Sequence, residues 1–118
     1  MAHYEDLEVD QGASARWQLQ LTEADGHTVR DLAGFTAVAR INNSSMADSA
    51  EVITMTANIT APPSLGIIDI SLSHTQTQEL TRRRYVYDVQ VEYYDSDRYT
   101  TVVERILEGN LMISRNAR

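Results

Sequence analysis

The sequence predicts an all-β fold, an antiparallel β-sandwich with one short helical turn. Period-two alternation of apolar and polar residues recurs along most of the chain, helical periodicity is confined to one short stretch, and turn signals fall about every eight to twelve residues. At 118 residues the chain is read as a single domain, residues 1–118, long enough to bury about two-thirds of the surface that its unfolded form exposes. With 42% hydrophobic and 23% charged residues it has the composition of an ordinary folded domain.

The first clear strand is SARWQLQLT, in which Ala15, Trp17, Leu19 and Leu21 share one face and Arg16, Gln18, Gln20 and Thr22 the other. That is the pattern of a half-buried strand, with Trp17 as its core anchor. Asp25-Gly26 follows, a dipeptide favoured in tight hairpin turns, and a short return strand is expected through Thr28 and Val29. DLAGF reads as a corner that tucks Leu32 and Phe35 under the sheet while Gly34 relieves the backbone. TAVARINN then alternates, with Ala37, Ala39 and Ile41 on one face, and the Asn-, Ser- and Asp-rich stretch from Asn42 to Glu51 is read as a surface loop.

VITMTANIT has strong β-propensity and is stopped by the paired prolines of APPSLG, which makes it the expected edge strand. IIDISLS places Ile68, Ile70 and Leu72 on one face. In HTQTQELTRR, Thr75 is expected to cap a helix of one or two turns, with Gln78 in capping-box register. RYVYDVQVEYY reads as a long strand with Tyr85, Tyr87, Val89, Val91 and Tyr93 on one face. The turn DSDR joins it to a last strand in which Leu107, Gly109, Leu111 and Ile113 keep one phase. Adjacent Val102 and Val103 break that phase, so a bulge is expected between them and Leu107, with Gly109 as its candidate marker. About seven to nine strands in this pattern suit an immunoglobulin-like or jelly-roll-like sandwich, with ragged ends before Leu7 and after Ser114. A closed barrel would use the same alternation.

Charge and composition remove several functions. A net charge of −7, from 17 acidic and 10 basic residues, repels polyanions and acidic membranes at long range. All ten basic residues are arginine, which suits bidentate contacts at interfaces but also follows from a GC-rich genome. The absence of cysteine excludes disulfides, thiolate nucleophiles and cysteine-ligated zinc. No apolar run is long enough to span a membrane, and MAHYEDLEVD carries acids where a secretion signal needs a basic and then an apolar region, so the chain is expected to be made in the cytosol.

The residues with chemical potential are few. His3, His27 and His74 lie in unrelated segments and are read as surface residues. Asp88, Asp95 and Asp97 lack the length and alternation of a cation loop. Glu104 and Glu108, four residues apart on a strand, are expected to share a face without acid–base work to do. No serine stands in a nucleophile elbow, and no glycine-rich phosphate loop is present. Arg82, Arg83 and Arg84 beside Tyr85, Tyr87, Tyr93 and Tyr94 resemble a stacking platform for single-stranded nucleic acid. The odd-numbered tyrosines are required as core, however, and Asp88 and Glu92 adjoin them, so the arginines are read as entering a strand and reaching a protein neighbour. No catalytic, cofactor-binding or metal residue is assigned, and no enzyme activity, cofactor, nucleic acid, membrane or small-molecule ligand is expected.

Several of these segments together resemble a family. Gln11, Gly12 and Trp17 in the opening strand, the DLAGF corner, the short helix before RYVYDVQV, and the closing Glu108-Gly109 strand are similar to small immunoglobulin-like β-sandwich virion proteins of tailed bacteriophages. They are also similar to the amino-terminal domain of phage upper-baseplate proteins. The family pattern has a glycine just before the RYxYD strand, where this chain has arginines. The resemblance spans nearly the whole chain. It implies a non-enzymatic component of a baseplate, tail or neck that joins other virion subunits, assembles in the host cytoplasm and forms a homo-oligomer, and it carries over no site residue. The alternative is a carbohydrate- or host-surface-binding module that uses Tyr94 and Tyr99.

Overall fold

A computed structural model describes residues 3–23, 25–43 and 51–114. Its strands are β1 (His3–Tyr4), β2 (Leu7–Asp10), β3 (Ala15–Gln20), β4 (Thr36–Asn42), β5 (Glu51–Ile59), β6 (Ile67–Leu72), β7 (Arg84–Asp95) and β8 (Thr100–Ser114), with a single helix, α1 (His74–Gln78), and a 3-10 turn at Pro63–Leu65. The all-β fold is therefore as the alternation predicts. Among the described residues no helix is long and apolar enough to cross a membrane.

The strands follow one hydrogen-bonded path, β1-β8-β7-β4-β5-β6-β3, with β2 also paired to β8. Strand β5 takes this path from one layer to the other. Its first half pairs with β4, through Met55 opposite Ala39, and its second half pairs with β6, through Ala57 opposite Ile70. The two layers bury the faces that the alternation predicts: Ile68, Ile70 and Leu72 from one side, and Ala39, Ile41, Val89, Val91, Leu107 and Leu111 from the other. Burying each Leu, Ile or Val side chain contributes about 1.5–3 kcal/mol, so this shared core is the main source of stability. The path does not close, because among the described residues no ladder joins β3 to β1 or β2.

Several expectations are corrected. VITMTANIT is not a simple edge strand: its first half pairs only with β4 and its second half only with β6, so it ends one layer and begins the other, and the Pro-Pro stop sets where it finishes. The segment before Leu7 is not ragged: His3 and Tyr4 pair with β8 in parallel, as does β2, whereas the other ladders among the described residues are antiparallel. Asp25-Gly26 does not make a two-residue hairpin. The return is a single bridge, Thr22 to Val29, around a wider loop in which the Asp25 carboxylate accepts from the His27 and Thr28 amides. Trp17 packs against the core but is only half-buried.

The helix is capped by Ser73, two residues earlier than the expected Thr75. Ser73 accepts from the Gln76 amide and the Gln76 side chain accepts from the Ser73 amide, a reciprocal capping box. Inside the helix, Thr77 is fully buried. Its hydroxyl accepts from the Gly12 amide at 3.0 Å and donates to the Ala13 carbonyl at 2.9 Å. The Gln11 side chain donates to the Gln78 carbonyl. Gln11 and Gly12 thus tie the start of the chain to the helix.

The bulge is present where it is expected, between Val103 and Leu107: Val89 lies opposite Leu107 and Gln90 opposite Arg105, which leaves Ile106 as the extra residue. Gly109 sits in regular register opposite Tyr87. The predicted loop at 44–50 lies outside the described residues.

Candidate interaction surface

The β7–β8 hairpin outruns its sheet. The last β7 residue paired to β4 is Glu92, opposite Thr36, whereas the β7–β8 ladder continues to Asp95 opposite Thr100. Residues 93–95 and 100–102 therefore extend past β4. A strand that loses one neighbour needs other contacts to stay in place, and the hairpin finds them on the DLAGF corner.

There the ring of Phe35 stacks on Tyr93, with centroids 4.5 Å apart and planes 18° from parallel. The Arg30 guanidinium lies 5.1 Å from the Phe35 centroid and 5.7 Å from that of Tyr93, within the range of cation–π attraction. Arg30 also donates to both carboxylate oxygens of Glu104, at 2.8 and 3.2 Å. The Tyr93 hydroxyl donates to Glu104 at 3.2 Å. These bonds from Arg30 hold the Glu104 carboxyl below the usual carboxylate range, and the same pairing raises Arg30. Planar, two-point pairing of this kind fixes direction as well as distance, so the base of the hairpin is held against the body of the domain.

Beyond that base the hairpin presents apolar surface. Tyr94 is 61% exposed, Tyr99 84% and Val103 53%. Tyr99 has φ of 54°, in the left-handed region that glycine favours. On the side of β8 away from β7, β1 pairs at Leu107 and Glu108 and β2 from Leu111 onward. No described strand pairs residues 100–106 on that side.

The residues weighed for chemistry do not converge. His27 and His74 are exposed in a turn and at the helix start, while the His3 side chain lies outside the described residues. Among the described residues no three His, Asp or Glu side chains form a group that could hold a metal ion. Asp88 pairs with Arg105 at 3.2 Å, and Asp95 and Asp97 shape the hairpin turn. Glu104 and Glu108 do not share a face: the bulge at Ile106 puts Glu104 opposite inward-facing Val91 and Glu108 opposite outward-facing Asp88.

Nor do the tyrosines make a stacking platform. Tyr85 and Tyr87 are buried, and the Tyr85 hydroxyl accepts from the Arg82 amide. Arg82, Arg83 and Arg84 are exposed at the strand entry. Between the layers lies a cavity of about 180 Å³ whose lining includes Leu7, Trp17, Met55, Ile70, Tyr87 and Leu107. Its wall is chiefly apolar and it brings no reactive groups together.

No family model matches this chain, and no match is found among the curated proteins. The role of Arg30 escaped the sequence reading because its partner Glu104 is 74 residues away. No local pattern marks so distant a pair.

Proposed function

We propose that the protein is a non-enzymatic structural component of a tailed-phage virion, in its baseplate, tail or neck, acting through protein–protein contacts and forming a homo-oligomer. The observation that carries this reading is the hairpin: a strand edge with no ladder partner among the described residues and an exposed Tyr94–Tyr99–Val103 surface on a base held by Arg30, Glu104, Phe35 and Tyr93. Free edges offer main-chain bonds for affinity and alternating side chains for specificity, which suits repeated subunit contacts. The resemblance of the Gln11-Gly12, DLAGF and RYVYDVQV segments to phage sandwich proteins supports the setting.

The test is mass spectrometry of tailed particles of the phage that carries this gene, purified away from the host lysate. The expected result is the chain at a fixed ratio to the major tail protein through successive density gradients. Its loss from the particles during purification would overturn the reading.

A second reading, a carbohydrate- or host-surface-binding module, is favoured by the exposure of Tyr94 and Tyr99, since sugar rings stack on exposed aromatic faces. Retention of the chain on immobilised glycans, abolished by replacing both tyrosines, would support it.

A further inference from the structure

We infer that the free edge of β8 pairs antiparallel with the same edge of a second copy of this chain, across a two-fold axis at Val103. This names the contact within the assembly role proposed above and rests on that reading.

The direction of the main chain comes first. In an antiparallel ladder, successive residues turn their N–H and C=O groups alternately toward one neighbour and the other. The Ile113 amide donates to Arg83 on the β7 side, and the Glu108 carbonyl accepts from Glu5 on the β1 side. Odd-numbered residues after the bulge therefore face β7. The extra residue at Ile106 shifts the alternation by one, since Leu107 lies opposite Val89 and Glu104 opposite Val91. Before the bulge, Thr101, Val103 and Arg105 consequently turn their main-chain groups to the open side.

The place of β1 and the charges then select the register. Two copies of one edge related by a two-fold axis must place some residue opposite itself. Centring on Glu104 or Arg105 places Thr101 or Val103 opposite Leu107, whose edge β1 already occupies, and also sets like charged side chains face to face. Centring on Val102 leaves Arg105 outside the set of paired open-side residues. Centring on Val103 pairs all three: Val103 with its own copy, and Thr101 with Arg105 on each side. The outward faces then bring the two Val103 side chains together, covering apolar surface that is 53% exposed in the single chain. The inward-facing Glu104 would otherwise blunt the edge with its charge, but Arg30 already holds it. The free edge also ends where β1 begins, at His3 opposite Leu107, so the incoming strand and β1 would lie in one row.

The chain has no cysteine, so single cysteines report proximity cleanly. Val103→Cys is expected to give a covalent dimer with a short bis-maleimide in dilute solution, while Gln18→Cys, on the open edge of β3, is not. In parallel, light scattering over a concentration series should show the unaltered chain as a dimer or a multiple of one. Val103→Pro removes an N–H that faces the open side and not β7, and should weaken that association about tenfold or more while the monomer keeps its β circular dichroism. If Val103→Pro does not fold, the Val103→Cys result decides.

A monomer at every concentration, cross-linking at Gln18→Cys in place of Val103→Cys, or an oligomer unchanged by Val103→Pro would overturn the edge pairing. These outcomes are separable from the virion reading. A chain present in particles but monomeric in solution refutes the pairing alone, whereas a dimer absent from particles refutes the virion role alone.

Discussion

The carbonyl of Glu5 occupies the space where a β-carbon on Gly109 would stand, and the hydroxyl of Tyr87, directly across the ladder from Gly109, donates to that same carbonyl. The parallel strap formed by β1 and β2 therefore depends on the missing side chain. It lies on β8 because Gly109 lets the backbone approach and Tyr87 holds it. Burial pushes the Tyr87 hydroxyl well above the usual tyrosine range, so it remains a donor at any ordinary pH.

Gly109→Ala should accordingly displace the strap and lower stability by roughly 2 kcal/mol, the scale of overpacking at a tight contact. Tyr87→Phe removes only the hydroxyl and should cost about 1 kcal/mol. Urea denaturation of both variants, singly and combined, checks this. Because both act on the Glu5 carbonyl, the double variant should lose less than the sum.

Thr77→Val keeps the shape of a buried side chain but leaves the Gly12 amide and the Ala13 carbonyl without their partner. The expected loss is about 2 kcal/mol, since unmade buried bonds cost more than made ones contribute. Thr77→Ser should recover most of it. Hydrogen exchange offers a local check: the Gly12 amide should lose protection in Thr77→Val and keep it in Thr77→Ser.

Glu104→Gln tests the base of the hairpin through pH. The Glu104 carboxyl is held low in the folded chain by Arg30, so its contribution is present above the unfolded value of about 4.3 and is lost as pH falls through the lower folded value. The glutamate is 37% exposed and screened by solvent, so the pair is worth only about 1 kcal/mol at pH 7. Denaturation midpoints of the two proteins should differ at pH 7 and converge in acid. A constant difference across that range would show that Glu104 acts by packing and not by charge.

What the sequence disclosed follows from how local its signals are. Alternation exposed β3, β4, β6 and β7 with their inward faces, because in a strand the side-chain period alone decides which residues meet the core. The break in phase after Val103 disclosed the bulge. Pairing was less legible. The prolines after β5 suggested an edge, but whether a strand has one neighbour or two depends on segments far away, here β4 and β6. The parallel strap was hidden for the same reason: Leu7 and Leu111 are neighbours only across the whole fold. Gly109 drew notice as a bulge marker, while its actual constraint, the Glu5 carbonyl, lies more than a hundred residues earlier.

Tyr99 is the position where the chain accepts a local cost without a packing return. A tyrosine at φ of 54° costs about 1 kcal/mol relative to a backbone that L residues prefer, and its ring is 84% exposed, so no burial offsets the strain. Tyr99→Gly should therefore leave stability unchanged or raise it by as much as about 1 kcal/mol, read as a higher melting temperature. Tyr94→Ser, at an exposed strand position, should alter stability by less than about 0.5 kcal/mol. Since neither ring holds the fold, any loss of function in the double variant belongs to what the rings touch. Loss of incorporation into particles with no glycan retention in either protein assigns them to a subunit contact. Loss of a glycan retention that the unaltered chain shows assigns them to sugar stacking and makes the hairpin a receptor-binding element.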